Sequence, residues 1–145
     1  TNSSASTITR LADMGVEPYL IAYSVVGVIA QRLVRRLCPN CKKPHIITEE
    51  EAEILGVKTK EQVQIYEPCG CPQCDNMGYK GRIGVYEIME MTQDLKTIIS
   101  KNGSAEAIKE QAIKNGMHTL RMSASEYVLS GITSFNEMMK VSFDL

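Results

Sequence analysis

Four of the chain's five cysteines form two C-x-x-C pairs, Cys38-Pro-Asn-Cys41 and Cys71-Pro-Gln-Cys74, with 29 residues between them. A C-x-x-C turn brings two sulfurs to one side of a tight loop, and the Pro in each stiffens it. Two such loops supply four thiolates at about 2.3 Å around a tetrahedral Zn2+, a closed structural site. Cys38, Cys41, Cys71 and Cys74 are therefore the expected ligands. A shell filled by four Cys leaves no water position, so catalysis at the metal is not expected. Rubredoxin-like iron uses the same knuckles, which leaves zinc against iron open. Two disulfides would suit a secreted chain. Thr1–Ala12, however, has neither the basic start nor the apolar core of an export signal. A thioredoxin-like redox pair needs a βαβ setting that neither pair has. Cys69 is the odd thiol, read as a bystander, with a ligand swap for Cys71 as the alternative.

Composition narrows the classes further. With 17 acidic and 16 basic residues the net charge is −1, too balanced for a general attraction to phosphate backbones. There is no Trp, and only two Phe and six Tyr, so a base-stacking platform is not expected. The longest apolar run, Tyr19–Ala30, has 12 residues, short of the ~20 a spanning helix needs.

The pattern along the chain predicts mostly helix. Ile8, Leu11 and Ala12 sit at helical spacing before Gly15. A long helix is expected from Pro18 to about Leu37, apolar nearly all round in its first half and therefore buried there. Its second half carries Arg32, Arg35 and Arg36. Cations near a helix C-terminus complement the macrodipole, and a partner or phosphate contact is the sharper reading. Thr48 and Glu51 read as a capping box opening a short helix that Gly56 ends, with Glu49, Glu50, Glu51 and Glu53 as a solvated face. Val63–Glu67 and Ile83–Met91 read as strands; pairing them would put the second knuckle at a hairpin end. Gly78 and Gly81 suggest turns with positive φ. Helices follow over Gln93–Lys101, after Ser104, around Leu120–Val128, and after Ser134, whose box partner is Glu137. His118 reads as a turn residue. His45, near the first knuckle, is a candidate hydrogen-bond donor to a metal thiolate. No phosphate loop, Gly-rich dinucleotide loop, G-x-S-x-G elbow or H-E-x-x-H occurs. The residues alone describe an α+β, mainly helical, zinc-stapled and non-catalytic module.

Taken together, these stretches resemble the type II/IV secretion ATPases, which power type II secretion and type IV pilus assembly. Arg10-Leu11-Ala12-Asp13-Met14-Gly15-Val16-Glu17-Pro18 is similar to that family's R-L-x-D-M-G-V-x-P, and Ala30-Gln31-Arg32-Leu33 through Cys41 to its A-Q-R-L-x-R-x-L-C-x-x-C. Gly70-Cys71-Pro72 and Cys74, then Gly78-Tyr79, Gly81-Arg82, Gly84 and Tyr86-Glu87, resemble G-C-x-x-C…G-Y-x-G-R-x-G-x-Y-E. Gly116-Met117 with Thr119-Leu120, and Gly131 with Thr133-Ser134, resemble the closing signatures; Thr1-Asn2-Ser3 looks like the end of the His box. Cys69 departs from the pattern.

The resemblance implies a hexameric, cytoplasmic P-loop ATPase at the inner face of the bacterial inner membrane. It implies that the phosphate loop lies before residue 1, and with it the binding of ATP and Mg2+. This chain would then be a non-hydrolysing C-terminal part: residues 1–37 ending a RecA-like core, 38–91 a tetracysteine zinc subdomain, and 92–145 a helical subdomain. Implied partners are neighbouring subunits, an inner-membrane platform protein and the membrane surface; nucleic acid is not among them. The local basic run of Arg32, Arg35, Arg36, Lys42 and Lys43 is the surface expected to face a neighbour, the platform protein or acidic lipid. The rival reading is a free-standing zinc-ribbon adaptor that binds protein or nucleic acid.

Overall fold

The computed structural model describes residues 3–57 and 63–142. Thr1 and Asn2, which belong to the stretch read as the end of the His box, lie outside them. Among the described residues the order is α1 (Ser4–Asp13), α2 (Pro18–Ser24), β1 (Gly27–Leu37), β2 (Lys43–Ile46), α3 (Glu49–Leu55), β3 (Gln64–Glu67), β4 (Tyr79–Glu90), α4 (Gln93–Ser100), α5 (Ala105–Lys114), α6 (Leu120–Leu129) and α7 (Phe135–Val141). They fall into two compact units, residues 3–31 with 86–119 and residues 32–85 with 120–142.

The first unit is built on helices. Ser3 caps α1, its side chain accepting the Ser6 N–H while the Ser6 hydroxyl takes the Ser3 N–H, and Pro18 opens α2. Thr92 and Ser104 cap α4 and α5. Ala5, Ile8, Ile21, Ala22, Leu95, Ile99, Ile108 and Ala112 then meet in one core with Met89 and Met117. The apolar residues recur every three or four positions, so each helix turns one stripe inward.

The long helix expected from Pro18 does not form: it stops at Ser24, and Gly27–Leu37 is a strand. Val25, Val26, Val28 and Ile29 are β-branched and stand beside Gly27, a combination that penalises helix and suits a pleated surface. Exposure alternates along β1, with Val28, Ala30, Arg32 and Val34 turned inward and Ile29, Gln31 and Leu33 outward. Nor is the stretch buried all round: Tyr23, Val26 and Ile29 are 65%, 89% and 66% exposed. Arg32, Arg35 and Arg36 accordingly lie on a strand, where no macrodipole acts on them.

The strand pairing also differs from expectation. β3 pairs antiparallel with β2, Lys43 opposite Glu67 and Ile46 opposite Gln64, while β4 pairs with β1. β2 carries no strand signal in the sequence because it contains Pro44, which a two-stranded edge tolerates. β4 starts at Tyr79, earlier than expected, and passes through Gly81 at φ +81°.

In the second unit, Thr48 and Glu51 complete the predicted capping box of α3, and Gly56 ends it at φ +75°. α6 covers the predicted Leu120–Val128, and α7 begins directly after Ser134 as predicted. Ser134 caps α7 by accepting the Glu137 N–H, but the Glu137 carboxylate does not return to the cap. It reaches Arg35 instead, accepting the Arg35 backbone N–H at 2.8 Å and its guanidinium at 2.9 and 3.0 Å. No helix among the described residues is long and apolar enough to cross a membrane.

Candidate metal centre

Cys38 follows β1 directly, and its N–H donates to the Gly78 carbonyl at 3.0 Å. The chain then turns so that the Lys42 N–H reaches the Cys38 carbonyl at 3.1 Å. The second knuckle is a 3-10 turn over Pro72–Cys74, closed by Asp75 and Asn76 at φ 53° and 61°. Asn and Asp tolerate this left-handed region better than other side chains do. The Asn76 N–H bonds back to the Cys71 carbonyl at 2.9 Å.

These two turns bring the sulfurs of Cys38, Cys41, Cys71 and Cys74 within 4.8 Å of one another. Cys38 and Cys71 are 3.8 Å apart, Cys41 and Cys74 3.8 Å, and Cys71 and Cys74 3.7 Å. A tetrahedron with metal–sulfur bonds of about 2.3 Å has edges of about 3.8 Å, so these three pairs match the edges of a ZnS4 centre. The spacing is far beyond the ~2.05 Å of a disulfide, and all five cysteines are free. Cys69 is exposed and stands outside the group.

Donors converge on the sulfurs. Gly70 N–H points at Cys41 Sγ, Cys71 N–H and Gly78 N–H at Cys74 Sγ, and the Asn40 amide at Cys71 Sγ, all at 3.2–3.3 Å. The Asn40 bond leads in bringing the Cys71 pKa down to about 6. Cys41 is pushed up to about 11, by desolvation first and then by the thiols around it. Four negative sulfurs at this range repel strongly, and only a cation among them lets all four ionise together. Soft thiolates in tetrahedral array select zinc or iron–sulfur chemistry.

Gly78 is the tightest point. Its φ is +80°, and a Cβ there would lie 2.6 Å from Pro68 Cβ and 3.2 Å from the Cys69 nitrogen. Gly78→Ala is therefore expected to destabilise the chain by about 1–3 kcal/mol and to weaken metal retention, because the Gly78 N–H would leave Cys74. Urea unfolding and competition with a chelator check both effects.

His45 is not a partner of the thiolates. Its Nε2 lies 2.9 Å from Glu51 Oε1, and its Nδ1 4.0 Å from Glu67 Oε2. Glu51 is thus drawn out of the acidic face of α3, while Glu49, Glu50 and Glu53 stay exposed as read. His118 is exposed between α5 and α6.

Arg35 and Lys42 are held by groups of their own unit. Arg35 holds Glu137 and lies over the Tyr79 ring at 4.0 Å. Lys42 donates to the Gly131 carbonyl at 3.0 Å and lies over Tyr66 at 4.5 Å. Thr133 donates to the Arg35 carbonyl at 2.7 Å, the Leu37 N–H to the Ile132 carbonyl at 2.8 Å, and Ser134 meets the Tyr79 hydroxyl at 2.7 Å. The turn before α7 is thereby stitched to the strand that leads into the first knuckle. The sequence signal for this was the Gly131-x-Thr133-Ser134 signature, which names the residues without their partners.

Burial works against the charge of Glu137, but the Arg35 N–H, the Arg35 guanidinium and Lys140 outweigh it and hold the carboxyl below its ordinary value of 4.5. Burial likewise opposes Glu51, and His45 with the Thr48 cap outweighs it. A depressed folded-state pKa gives stability that is complete above the unfolded value and lost as pH falls through the folded one. Urea midpoints are expected to stay flat from neutral pH to about 5 and to fall below 4.5, with Glu137→Gln showing a shallower fall.

Residues 1–140 match the family Type II/IV secretion system protein. The chain belongs to that family. It is 41% identical over 143 residues to the type IV pilus assembly ATPase TfpB of Acinetobacter baylyi, covering 97% of this chain and 24% of that protein. It is 39% identical over 142 residues to the type II secretion system ATPase E of Vibrio cholerae, covering 98% and 28%. It is 43% identical over 146 residues to the type IV pilus assembly ATPase PilB of Pseudomonas aeruginosa, covering 99% and 26%. The chain thus spans about a quarter of the length of the curated relatives it matches.

Proposed function

We propose that this chain is the C-terminal, force-transmitting region of a hexameric secretion or pilus-assembly ATPase, with Cys38, Cys41, Cys71 and Cys74 holding one structural Zn2+. The observation that carries the reading is the four-sulfur group of tetrahedral dimensions in a chain of this family. In the proposed division, residues 1–37 end the RecA-like core, 38–91 form the zinc subdomain and 92–145 the helical subdomain.

Bound there, the metal supplies cross-linking and no reaction chemistry. The two knuckles, held together, make β1 and β4 leave one fixed point. Lys42, Thr133, Ser134 and Glu137 tie that point to α6 and α7. A part so constrained passes on displacement instead of absorbing it. In the full-length protein, ATP and Mg2+ are bound outside this chain, by a phosphate loop whose backbone N–H groups and Lys hold the phosphates. The displacement is passed to an inner-membrane platform protein that handles pilin or pseudopilin, at the cytoplasmic face of the membrane. Arg36, exposed on β1, is the strand cation we assign to partner contact; Arg32 lies on the inward row and Arg35 faces Glu137.

The test compares two proteins. Full-length protein is expected to hydrolyse Mg-ATP, and this chain alone to show no turnover. Hydrolysis by the isolated chain, or a full-length sequence with no phosphate loop, would overturn the reading.

A further inference from the structure

Along β4 the inward positions Val85, Glu87 and Met89 are 0%, 2% and 1% exposed. A carboxylate in that row breaks the apolar pattern, and a buried carboxylate is costly unless hydrogen-bonded. Glu87 Oε1 accepts the Ser4 backbone N–H at 3.0 Å and the Ser4 hydroxyl at 2.5 Å, 83 residues away in sequence. Ser4 is the first residue of α1 and is fully buried, its hydroxyl also 3.6 Å from Met117 Sδ. The first turn of α1 has no acidic residue of its own. Glu87 therefore brings from another element the negative acceptor that a helix N-terminus favours. Ser3 takes the Ser6 N–H and Glu87 takes that of Ser4, so cap and carboxylate each satisfy one first-turn donor. β4 is also the strand that comes from the second knuckle, with Glu87 thirteen residues after Cys74.

We infer that Glu87 is a positioning residue whose carboxylate fixes the start of α1 to β4, so that movement of α1 is handed along the strand toward the cysteine module instead of being lost as slippage. This rests on the motor reading above. The carboxylate carries the role because it satisfies an amide and a hydroxyl with one charged oxygen, which no apolar residue of similar size can do.

The test uses full-length, zinc-loaded hexamer. It measures the KM and kcat for ATP, the pilin or pseudopilin assembled per ATP, and amide exchange across α1. Glu87→Ala is expected to keep zinc content, the hexamer and the ATP KM. Assembly per ATP is expected to fall about tenfold, and exchange at residues 4–8 to quicken about tenfold with the β2–β3 hairpin unchanged. Glu87→Gln keeps an acceptor oxygen and is expected to recover much of both. Wild-type coupling and wild-type exchange in Glu87→Ala overturn the inference. If Glu87→Ala does not fold, Ser4→Ala decides. It removes the hydroxyl donor and keeps the amide, and exchange faster by about threefold supports the tie while unchanged exchange overturns it. A wild-type protein without ATP turnover or assembly would defeat the motor reading instead, and exchange across α1 then judges Glu87 alone.

Discussion

Chelation is expected to strip one zinc per chain and to unfold the residues around it. Zinc sites in small peptides contribute an apparent ~10–16 kcal/mol, comparable with the whole stability of a small domain. The second unit has little else at that position. β2 and β3 are four residues each, and such a hairpin is marginal alone. Amide protection in β2, β3 and both knuckles should collapse. The core of Ile8, Leu95, Ile99 and Ile108 should keep its protection, because those residues pack without the metal. Cys71→Ser is expected to lower bound zinc from one per chain to near none and to reproduce the chelated state, since the ligand set is closed. Cys69→Ser is expected to change neither, its thiol standing outside the group. Metal analysis and hydrogen exchange check all three. Folding that is indifferent to chelator would refute the structural role of the cluster, and iron in place of zinc would correct the metal.

Glu137→Ala is the second large effect, at about 3 kcal/mol. Glu137 is 4% exposed and serves the Arg35 N–H, the Arg35 guanidinium and Lys140 together. Removing one partner of a buried pair leaves the other without compensation, which costs about 3–5 kcal/mol when both are inaccessible. Here the Arg35 side chain is 40% exposed and lies on Tyr79, so water and the ring recover part of the loss. The stranded backbone N–H of Arg35 adds about 1–3 kcal/mol. Glu137→Gln should cost less than Ala, because an amide oxygen still accepts one of these bonds. A double-mutant cycle with Arg35→Ala should give a coupling of about 1–3 kcal/mol, measured by urea unfolding. A Glu137→Ala variant as stable as wild type would show that the turn before α7 holds to the strand without it.

The sequence carried the four-cysteine group because its signal is local. Each knuckle is a four-residue turn, and the chemistry of two such turns specifies a tetrahedron before any fold is known. The caps at Ser104 and Ser134 and the stop at Gly56 were legible for the same reason, since a cap needs only three or four neighbouring residues. Val25–Leu37 was misread because its apolar density satisfies a buried helix and a strand alike, and only the partner decides. That partner, β4, begins 42 residues after β1 ends, beyond the reach of any window. Likewise Glu137 has the position of a capping-box carboxylate, yet a nearby guanidinium and a free backbone N–H offered it stronger bonds.

What the sequence determined by itself, then, is the grouping of four cysteines, the caps at Thr48, Ser104 and Ser134, and the family, all written in short contiguous motifs. The tertiary structure decided that β1 is a strand, that β2 pairs with β3, that Arg35 turns to Glu137, and that Glu87 is buried against Ser4. The physical reason is that strand pairing and charge burial are set by groups distant in the chain, whose energies exceed the local preferences a reading of neighbours detects.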